Sequence, residues 1–219
     1  MPRRRTLPRP RQARSRAREE ALLRAATKLM AKRPFEAISV TEIAAAAGTS
    51  VGGFYARFGT KEGVLHHLDA RIIEDALAGF DDALSDDRMA DATVADVVRA
   101  YAGIMIRKFR QHRESLTTII RVARGGDPEW AARARAFNTK VHGRLRALLT
   151  ARRNEIAHPD PDLAIELGLA FASAVARETV LGNSLRAYPV AVSDDRLIAE
   201  LTRMWTGYLT GRMPSKETR

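Results

Sequence analysis

The chain has 219 residues, of which 45% are hydrophobic, 29% are charged and none is cysteine. This composition is sufficient for a packed core, and the lack of cysteine excludes disulfides, thiolate metal sites and cysteine nucleophiles. No run approaches the roughly 18 apolar residues of a membrane span, and the first twenty residues lack the apolar core of a signal peptide, so we expect a cytoplasmic protein without a membrane partner.

The N-terminal segment carries most of the net charge of +11, because residues 1–18 contain eight arginines and no acidic residue. Three prolines among them predict an extended, disordered arm over residues 1–11. Such an arm is either a solvated tail or a ligand for a polyanion such as nucleic acid. Arms of other DNA-binding modules follow the minor groove, and Arg14 and Arg16 are candidates for that role here.

A first helix is predicted from about residue 12 to Arg33 and Pro34. Its expected buried face consists of Leu22, Ala26, Leu29 and Met30.

Local signals then predict two short helices between residues 39 and 58. Ser39–Glu42 reads Ser-x-x-Glu, the capping box that opens a helix, and Gly48 is the residue type favoured at its left-handed end. Ser50 is positioned to cap the next helix, and Gly59 to end it. Two short capped helices around a glycine-containing turn form the layout of a helix-turn-helix, whose second helix enters the major groove of DNA.

After residue 80 the periodicity is helical throughout, and strand-type alternation is nowhere sustained. We therefore expect an all-α protein of about nine helices. The predicted helix starts are Thr60, Thr93, about residue 114, Asp127-Pro128, Asp160-Pro161 and Ser193. The helix that starts at Asp160-Pro161 is predicted to end at Gly182-Asn183. The predicted domains are a basic arm (1–11), a DNA-binding domain (12–80), a ligand-binding and dimerisation domain (81–211) and a flexible tail (212–219).

Residues 39–65, SVTEIAAAAGTSVGGFYARFGTKEGVL, resemble the DNA-binding domain of the TetR (tetracycline-repressor-like) transcriptional regulators. The close match covers residues 20–68 and includes TEIAAAAG, S-x-G-x-FY-x-x-F and TKEGVL, whereas the rest matches in helix number and length only. The resemblance implies a homodimer that binds a double-stranded, roughly palindromic DNA operator. It also implies that a small apolar or amphipathic effector, bound by the helical domain, releases a repressor from that operator.

Within the helix-turn-helix, Gly52 and Gly53 each cost about 1 kcal/mol relative to alanine and permit close approach to DNA. Thr49, Val51 and Arg57 are candidates for base contact, with Arg57 able to pair with either guanine or phosphate. The resemblance implies that the Tyr55 hydroxyl binds a phosphate; the alternative is that Tyr55 is another core aromatic. Lys61 and the start of the next helix would together bind a second phosphate, and the alternative is that Lys61 is a solvated lysine. The predicted DNA-binding residues are Arg14, Arg16, Ser39, Thr41, Thr49, Ser50, Val51, Gly52, Gly53, Tyr55, Arg57, Thr60 and Lys61.

The helical domain is less specific in sequence, because an apolar residue there can line a pocket, an interface or the core. The predicted pocket residues are Tyr101, Met105, Phe109, Trp130, Phe137, Phe171, Arg177 and Glu178. By resemblance, the two helices around residues 161–181 and 194–209 form a four-helix dimer interface. Its predicted residues are Leu163, Leu167, Ala170, Ala174, Leu197, Leu201, Trp205 and Tyr208.

Two other functions stay open on sequence grounds. A ligand-independent architectural DNA-binding protein would use the arm and the helix-turn-helix alone. A small-molecule carrier or enzyme is disfavoured, because no acid/base pair, nucleophile arrangement or phosphate loop is visible. The histidines lack ligand spacing, so we expect neither a metal nor a cofactor.

Overall fold

The structure is a computed structural model that describes residues 10–123, 127–182 and 192–211. In this part of the chain it contains helices and no strands, which confirms the all-α prediction. The α-helices are α1 Pro10–Met30, α2 Val40–Ala46, α3 Val51–Phe58, α4 Gly63–Ala83, α5 Asp86–Met89, α6 Val94–Gln111, α7 Arg113–Ala123, α8 Pro128–Thr150, α9 Pro161–Leu181 and α10 Asp194–Thr210, with 3₁₀ helices at Phe35–Ala37 and Arg153–Glu155.

The described part thus holds ten α-helices, where about nine were expected. The unpredicted one is α5, which is four residues long and too short to show a helical period. The predicted arm falls almost wholly on residues 1–9, which lie outside the described residues, as do Asn183 and the predicted tail at 212–219.

Most helix starts follow the predicted caps. Ser39 and Thr93 each form a complete capping box, and the side chains of Asp127, Asp160 and Ser193 accept hydrogen bonds from the first turns of α8, α9 and α10. Satisfying the free amides at a helix start is worth about 1 kcal/mol per cap.

Three boundaries differ from the predicted ones. The first helix begins earlier, at Pro10, and ends earlier, at Met30. Proline is well tolerated in a first turn, where its missing N–H has no partner to lose. The fourth helix begins at Gly63, although the Thr60 hydroxyl accepts a bond from the Gly63 amide at 3.0 Å, as a cap would.

Two hydrophobic clusters organise the molecule, and α4 runs from one to the other. The N-terminal cluster contains Leu22, Phe54 and Leu65 and extends along α4 to Ile72. The C-terminal cluster begins at Phe80 and is centred on α6, which packs against α4, α8, α9 and α10. The change of core along α4 falls between Ile72 and Phe80, and a domain boundary after residue 80 stays a prediction.

The N-terminal cluster also includes two residues from beyond α4, namely Ile119 of α7 and Trp130 of α8. The Trp130 indole stacks on His66 of α4 at 4.5 Å between ring centroids. Beside it, the Arg133 guanidinium donates to the buried Asp69 carboxylate at 2.7 Å. The two halves of the molecule are therefore joined by packed side chains as well as by the chain itself.

None of the described helices is long and apolar enough to cross a membrane.

Candidate nucleic-acid interface and sensor domain

The turn between α2 and α3 has the geometry that a helix-turn-helix requires. Gly48 adopts a left-handed conformation with φ of 65°, and the Thr49 amide donates to the Ala44 carbonyl at 2.9 Å. The Ser50 hydroxyl then accepts from the Gly53 amide at 3.1 Å, which starts α3. A side chain at Gly48 would strain this left-handed turn, so the glycine fixes the angle between the two helices.

The two faces of α3 are chemically distinct. Phe54 and Phe58 are buried with their rings 4.9 Å apart, which anchors α3 to the N-terminal core. Val51 and Tyr55 lie one turn apart and are 37% and 46% exposed. The alternative that Tyr55 is a core aromatic is therefore wrong, and its hydroxyl is accessible to a partner.

The two glycines of α3 are both exposed but have different surroundings. A Cβ at Gly52 would meet only the Ser50 hydroxyl at 3.9 Å, an ordinary contact. A Cβ at Gly53 would lie 2.9 Å from the Thr49 hydroxyl and 3.3 Å from that of Ser50. A side chain at Gly53 would therefore require the Thr49 hydroxyl to move, whereas packing within the chain gives no reason for a glycine at position 52.

Arg57, predicted to contact a guanine or a phosphate, is turned back towards α1. Its guanidinium pairs with the Glu19 carboxylate and reaches the Ser15 hydroxyl at 3.4 Å. The second oxygen of Glu19 lies 2.8 Å from His67 Nδ1 on α4. Burial lowers the pKa of His67, and the Arg57 charge acts in the same direction. Glu19, which sequence spacing did not single out, therefore ties α1, α3 and α4 together.

The predicted phosphate clamp at Lys61 is partly engaged within the protein. Its ammonium group donates to the Glu36 carbonyl at 3.1 Å and lies 4.7 Å from the centre of the Phe35 ring. An ammonium group carries three donors, so these contacts position Lys61 without consuming its charge. A phosphate contact by Lys61 stays a prediction.

The start of α2 combines a cap with an ion pair. The Glu42 carboxylate accepts from the Ser39 amide and hydroxyl at 2.8 Å and pairs with Arg33. The Arg33 hydrogen bond, followed by the two from Ser39, lowers the pKa of Glu42 from 4.5 to about 2. Ser39 is thus engaged as a cap, whereas Thr41, Arg14 and Arg16 are exposed.

The predicted ligand pocket is not one site. Tyr101 and Met105 are buried in the C-terminal core, and Phe109 and Phe137 pack against it. The Tyr101 hydroxyl bonds Ser173 at 3.0 Å, and burial raises its pKa to about 12. The other four predicted residues lie elsewhere: Trp130 belongs to the N-terminal core, and Phe171, Arg177 and Glu178 are exposed, so a ligand role for them stays a prediction.

The predicted dimer residues divide between core and surface. Leu197, Leu201 and Trp205 belong to the C-terminal core of the single chain, and an interface role for them stays a prediction. The Trp205 ring is buried because Gly168 has no side chain. A Cβ at Gly168 would lie 1.7 Å from Trp205 Nε1, so the indole occupies the space that a side chain there would need. The exposed residues are Leu163, Leu167, Ala170, Ala174 and Tyr208.

Two large side chains missed by that prediction extend the exposed set. Phe171 is 67% exposed on α9, and Met204 is exposed on α10. With Leu167 and Tyr208 they line a groove of roughly 310 Å³ between the two helices. We call these four residues and Leu163 the α9–α10 apolar face.

Within the described ranges, no group of three or more histidine, aspartate or glutamate side chains is arranged to hold a metal ion.

Comparisons with known proteins agree with this arrangement. Residues 22–68 match a family model described as bacterial regulatory proteins of the TetR family, and residues 87–209 match a tetracyclin repressor-like C-terminal domain. The HTH-type transcriptional regulator EthR of Mycolicibacterium smegmatis is 30% identical over 90% of this chain and 88% of its own length. EthR of Mycobacterium tuberculosis is 30% identical over 89% of this chain and 88% of its own.

Solved structures of TetR-family proteins share the fold. A regulatory protein from Rhodococcus RHA1 superposes with a TM-score of 0.67 at 20% identity, covering 88% of this chain and 96% of that one. A TetR/AcrR-family regulator from Thermobifida fusca gives 0.66 at 19% identity, covering 92% and 99%.

The capped helix-turn-helix, the helical second domain and these matches together lead to one identification: the chain belongs to the TetR family and is a DNA-binding transcriptional regulator, not an enzyme.

Proposed function

We propose that the protein is a homodimeric repressor that binds a roughly palindromic operator and is released by a small apolar or amphipathic effector. The observation that carries the proposal is the exposed face of α3, where Val51, Gly52 and Tyr55 stand over a buried aromatic anchor. Such a protein acts where the DNA of a bacterium lies, in the cytoplasm.

The α9–α10 apolar face supports the dimer. Phe171, Met204 and Tyr208 are large apolar side chains that a monomer would leave in contact with water. Around a two-fold axis, the same face of a second copy covers them, which gives a self-complementary contact. Two recognition helices would then lie about 34–36 Å apart, one turn of DNA.

The test combines selection of bound sequences from random DNA with sedimentation of the free protein. We expect a palindromic consensus and a dimer. Phe171→Asp should give a monomer that loses the consensus site, whereas Ala134→Asp, which adds the same charge on an exposed position of α8, should not. A monomeric wild-type chain, or a consensus without two-fold symmetry, contradicts the homodimer.

Release is tested with the selected operator and a library of apolar and amphipathic small molecules. A compound that binds the protein and weakens operator binding supports an effector-responsive repressor. Binding to all sequences alike with a steep salt dependence, and no compound that changes it, would instead indicate the architectural DNA-binding protein.

A further inference from the structure

A cleft of roughly 730 Å³ lies where the two halves of the molecule meet. It is bounded by α1 and α4 on one side and by the corner between α6 and α7 on the other. Its volume is within the range of small-molecule sites. The apolar floor of the cleft is formed by Leu23, Leu68 and Ile72, all buried side chains of the N-terminal cluster.

The wall formed by α1 and α4 carries excess positive charge. Arg24, Lys28 and Arg71 are exposed there beside Glu20, whereas the second acidic residue of these helices that lines the cleft, Asp75, is paired with Lys108 of α6. The Glu20 carboxylate lies 3.7 Å from both Arg24 and Arg71, beyond a normal hydrogen bond to either. Arg24 and Arg71 thus share the Glu20 carboxylate, and their guanidinium donors, together with the ammonium donors of Lys28, are the charged groups that this wall offers to an anion.

The opposite wall is neutralised by its own contacts. Arg110 pairs with Asp194 at 2.6 Å, and Arg113 donates to the Val180 carbonyl at 2.9 Å. Lys108 of this side donates to Asp75 of α4 at 2.7 Å. The unbalanced charge is therefore confined to the α1–α4 side.

We propose that this cleft is a second ligand site, which takes an amphipathic anion: a carboxylate, phosphate or sulfonate on a compact apolar body. The anionic group binds Arg24, Lys28 and Arg71, and the apolar body covers Leu68 and Ile72. This site is separate from the effector site of the proposed function, because that effector site is expected within the helical domain.

A small ligand fits better than a DNA phosphate at these cations. The cleft has an apolar floor, and its second wall comes from α6 and α7, whereas α3 does not line it. Because the site is shared by both halves of the molecule, its occupant contacts α4 and the α6–α7 corner at once. Binding there holds the two halves in one arrangement.

The test uses two fluorescent probes with the same aromatic body: 1-anilinonaphthalene-8-sulfonate, which is an anion, and N-phenyl-1-naphthylamine, which is neutral. The full chain is titrated without DNA. Replacing both arginines, Arg24→Gln with Arg71→Gln, should weaken sulfonate binding by about tenfold and leave the neutral probe unchanged. Arg135→Gln with Arg153→Gln, two arginines outside the cleft, is the matched control and should change neither probe.

Location is tested by Thr27→Trp, which fills the cleft from α1 and should abolish the binding of both probes at this site, with the helical circular dichroism unchanged. The proposal is overturned if the Arg24/Arg71 variant binds the sulfonate as the wild type does, or if the control pair loses as much. It is also overturned if DNA displaces the sulfonate from the wild type and the Arg24/Arg71 variant binds DNA more weakly, because these cations would then bind DNA phosphates. None of these titrations depends on dimerisation or an operator, so their failure is separable from failure of the proposed function.

Discussion

Gly52 lies on the exposed side of α3 in surroundings that would accept a side chain. Its hypothetical Cβ meets nothing closer than 3.9 Å. We expect Gly52→Ala to raise the free energy of unfolding by about 0.5–1 kcal/mol, because alanine loses less backbone entropy in a helix. The same methyl group should weaken DNA binding by roughly tenfold, because it separates the helix backbone from the groove.

Urea unfolding and fluorescence anisotropy with the selected DNA measure the two effects separately. Gly53→Ala is the control, since its Cβ would crowd Thr49 and Ser50 and should give less stabilisation. A Gly52→Ala protein that gains stability and keeps full DNA affinity would show that α3 does not approach DNA through this residue.

Glu42 makes the helix-turn-helix sensitive to acid. Because its folded pKa is about 2 and its ordinary value is 4.5, the carboxylate stabilises the fold above pH 4.5. This contribution is lost as the pH falls from 4.5 through about 2. The difference in unfolding free energy between wild type and Glu42→Gln should therefore be constant from pH 7 to 5 and shrink below pH 4.5.

Urea unfolding at a series of pH values gives this difference directly. Glu74→Gln, on an exposed position of α4 outside the capping box, corrects for the general effect of losing one carboxylate. A difference that stays the same at pH 3 would contradict the assigned role of the Arg33 and Ser39 contacts.

At the scale of elements, α1 holds the recognition helix through one carboxylate. Glu19 engages Arg57, so neutralising Glu19 should free that guanidinium to reach DNA. We expect Glu19→Gln to bind non-specific DNA more tightly. The slope of log affinity against log salt concentration should become steeper by about one unit, because one more phosphate is contacted.

Glu20→Gln is the matched control, because it removes the same charge from the next residue of α1, which faces Arg24 and Arg71 instead. Binding to random DNA is measured by anisotropy at several salt concentrations. Equal effects of both substitutions would mean that net charge, and not the release of Arg57, is responsible.

At the scale of the whole molecule, residues 1–9 can be removed without shortening any of the described helices. Since α1 begins at Pro10, deletion of residues 1–9 takes away Arg3, Arg4, Arg5 and Arg9 and leaves the described fold intact. We expect lower DNA affinity and a salt slope that is shallower by up to about 3–4, since each phosphate contact contributes about 0.9.

The measurement is DNA affinity against salt concentration for the full chain, the deletion and a full-length form with these four arginines changed to glutamine. The last two should agree. An unchanged slope in both would show that the arm does not contact phosphates.

How far the fold follows from sequence depends on the distance over which the signal acts. Ser39, Thr93 and Asp160 cap their helices through amides three residues away, so the local sequence pattern is sufficient to predict them. The pairing of Arg57 with Glu19 joins residues 38 apart, and spacing alone carries no such information.

Helix α9 shows a second limit. It is apolar on more than one face, so that Ala172 and Ala176 are buried while Phe171 is exposed. Composition predicted the helix but not which face meets the core, because burial is decided by α6 and α10 rather than by α9 itself. The sequence of α9 therefore does not distinguish residues that line a pocket from residues that form an interface.

The Trp130 indole has a further consequence for how the two halves of the molecule depend on each other. Because α8 supplies a side chain to the N-terminal core, a shift of α8 would withdraw the ring from His66 and leave a gap beneath α4. Truncating a buried tryptophan to alanine costs about 3–5 kcal/mol, which sets an upper scale for this loss. The local stability of the DNA-binding half therefore depends on the position of α8, and a small movement of α8 would change that stability without a large displacement of the domain.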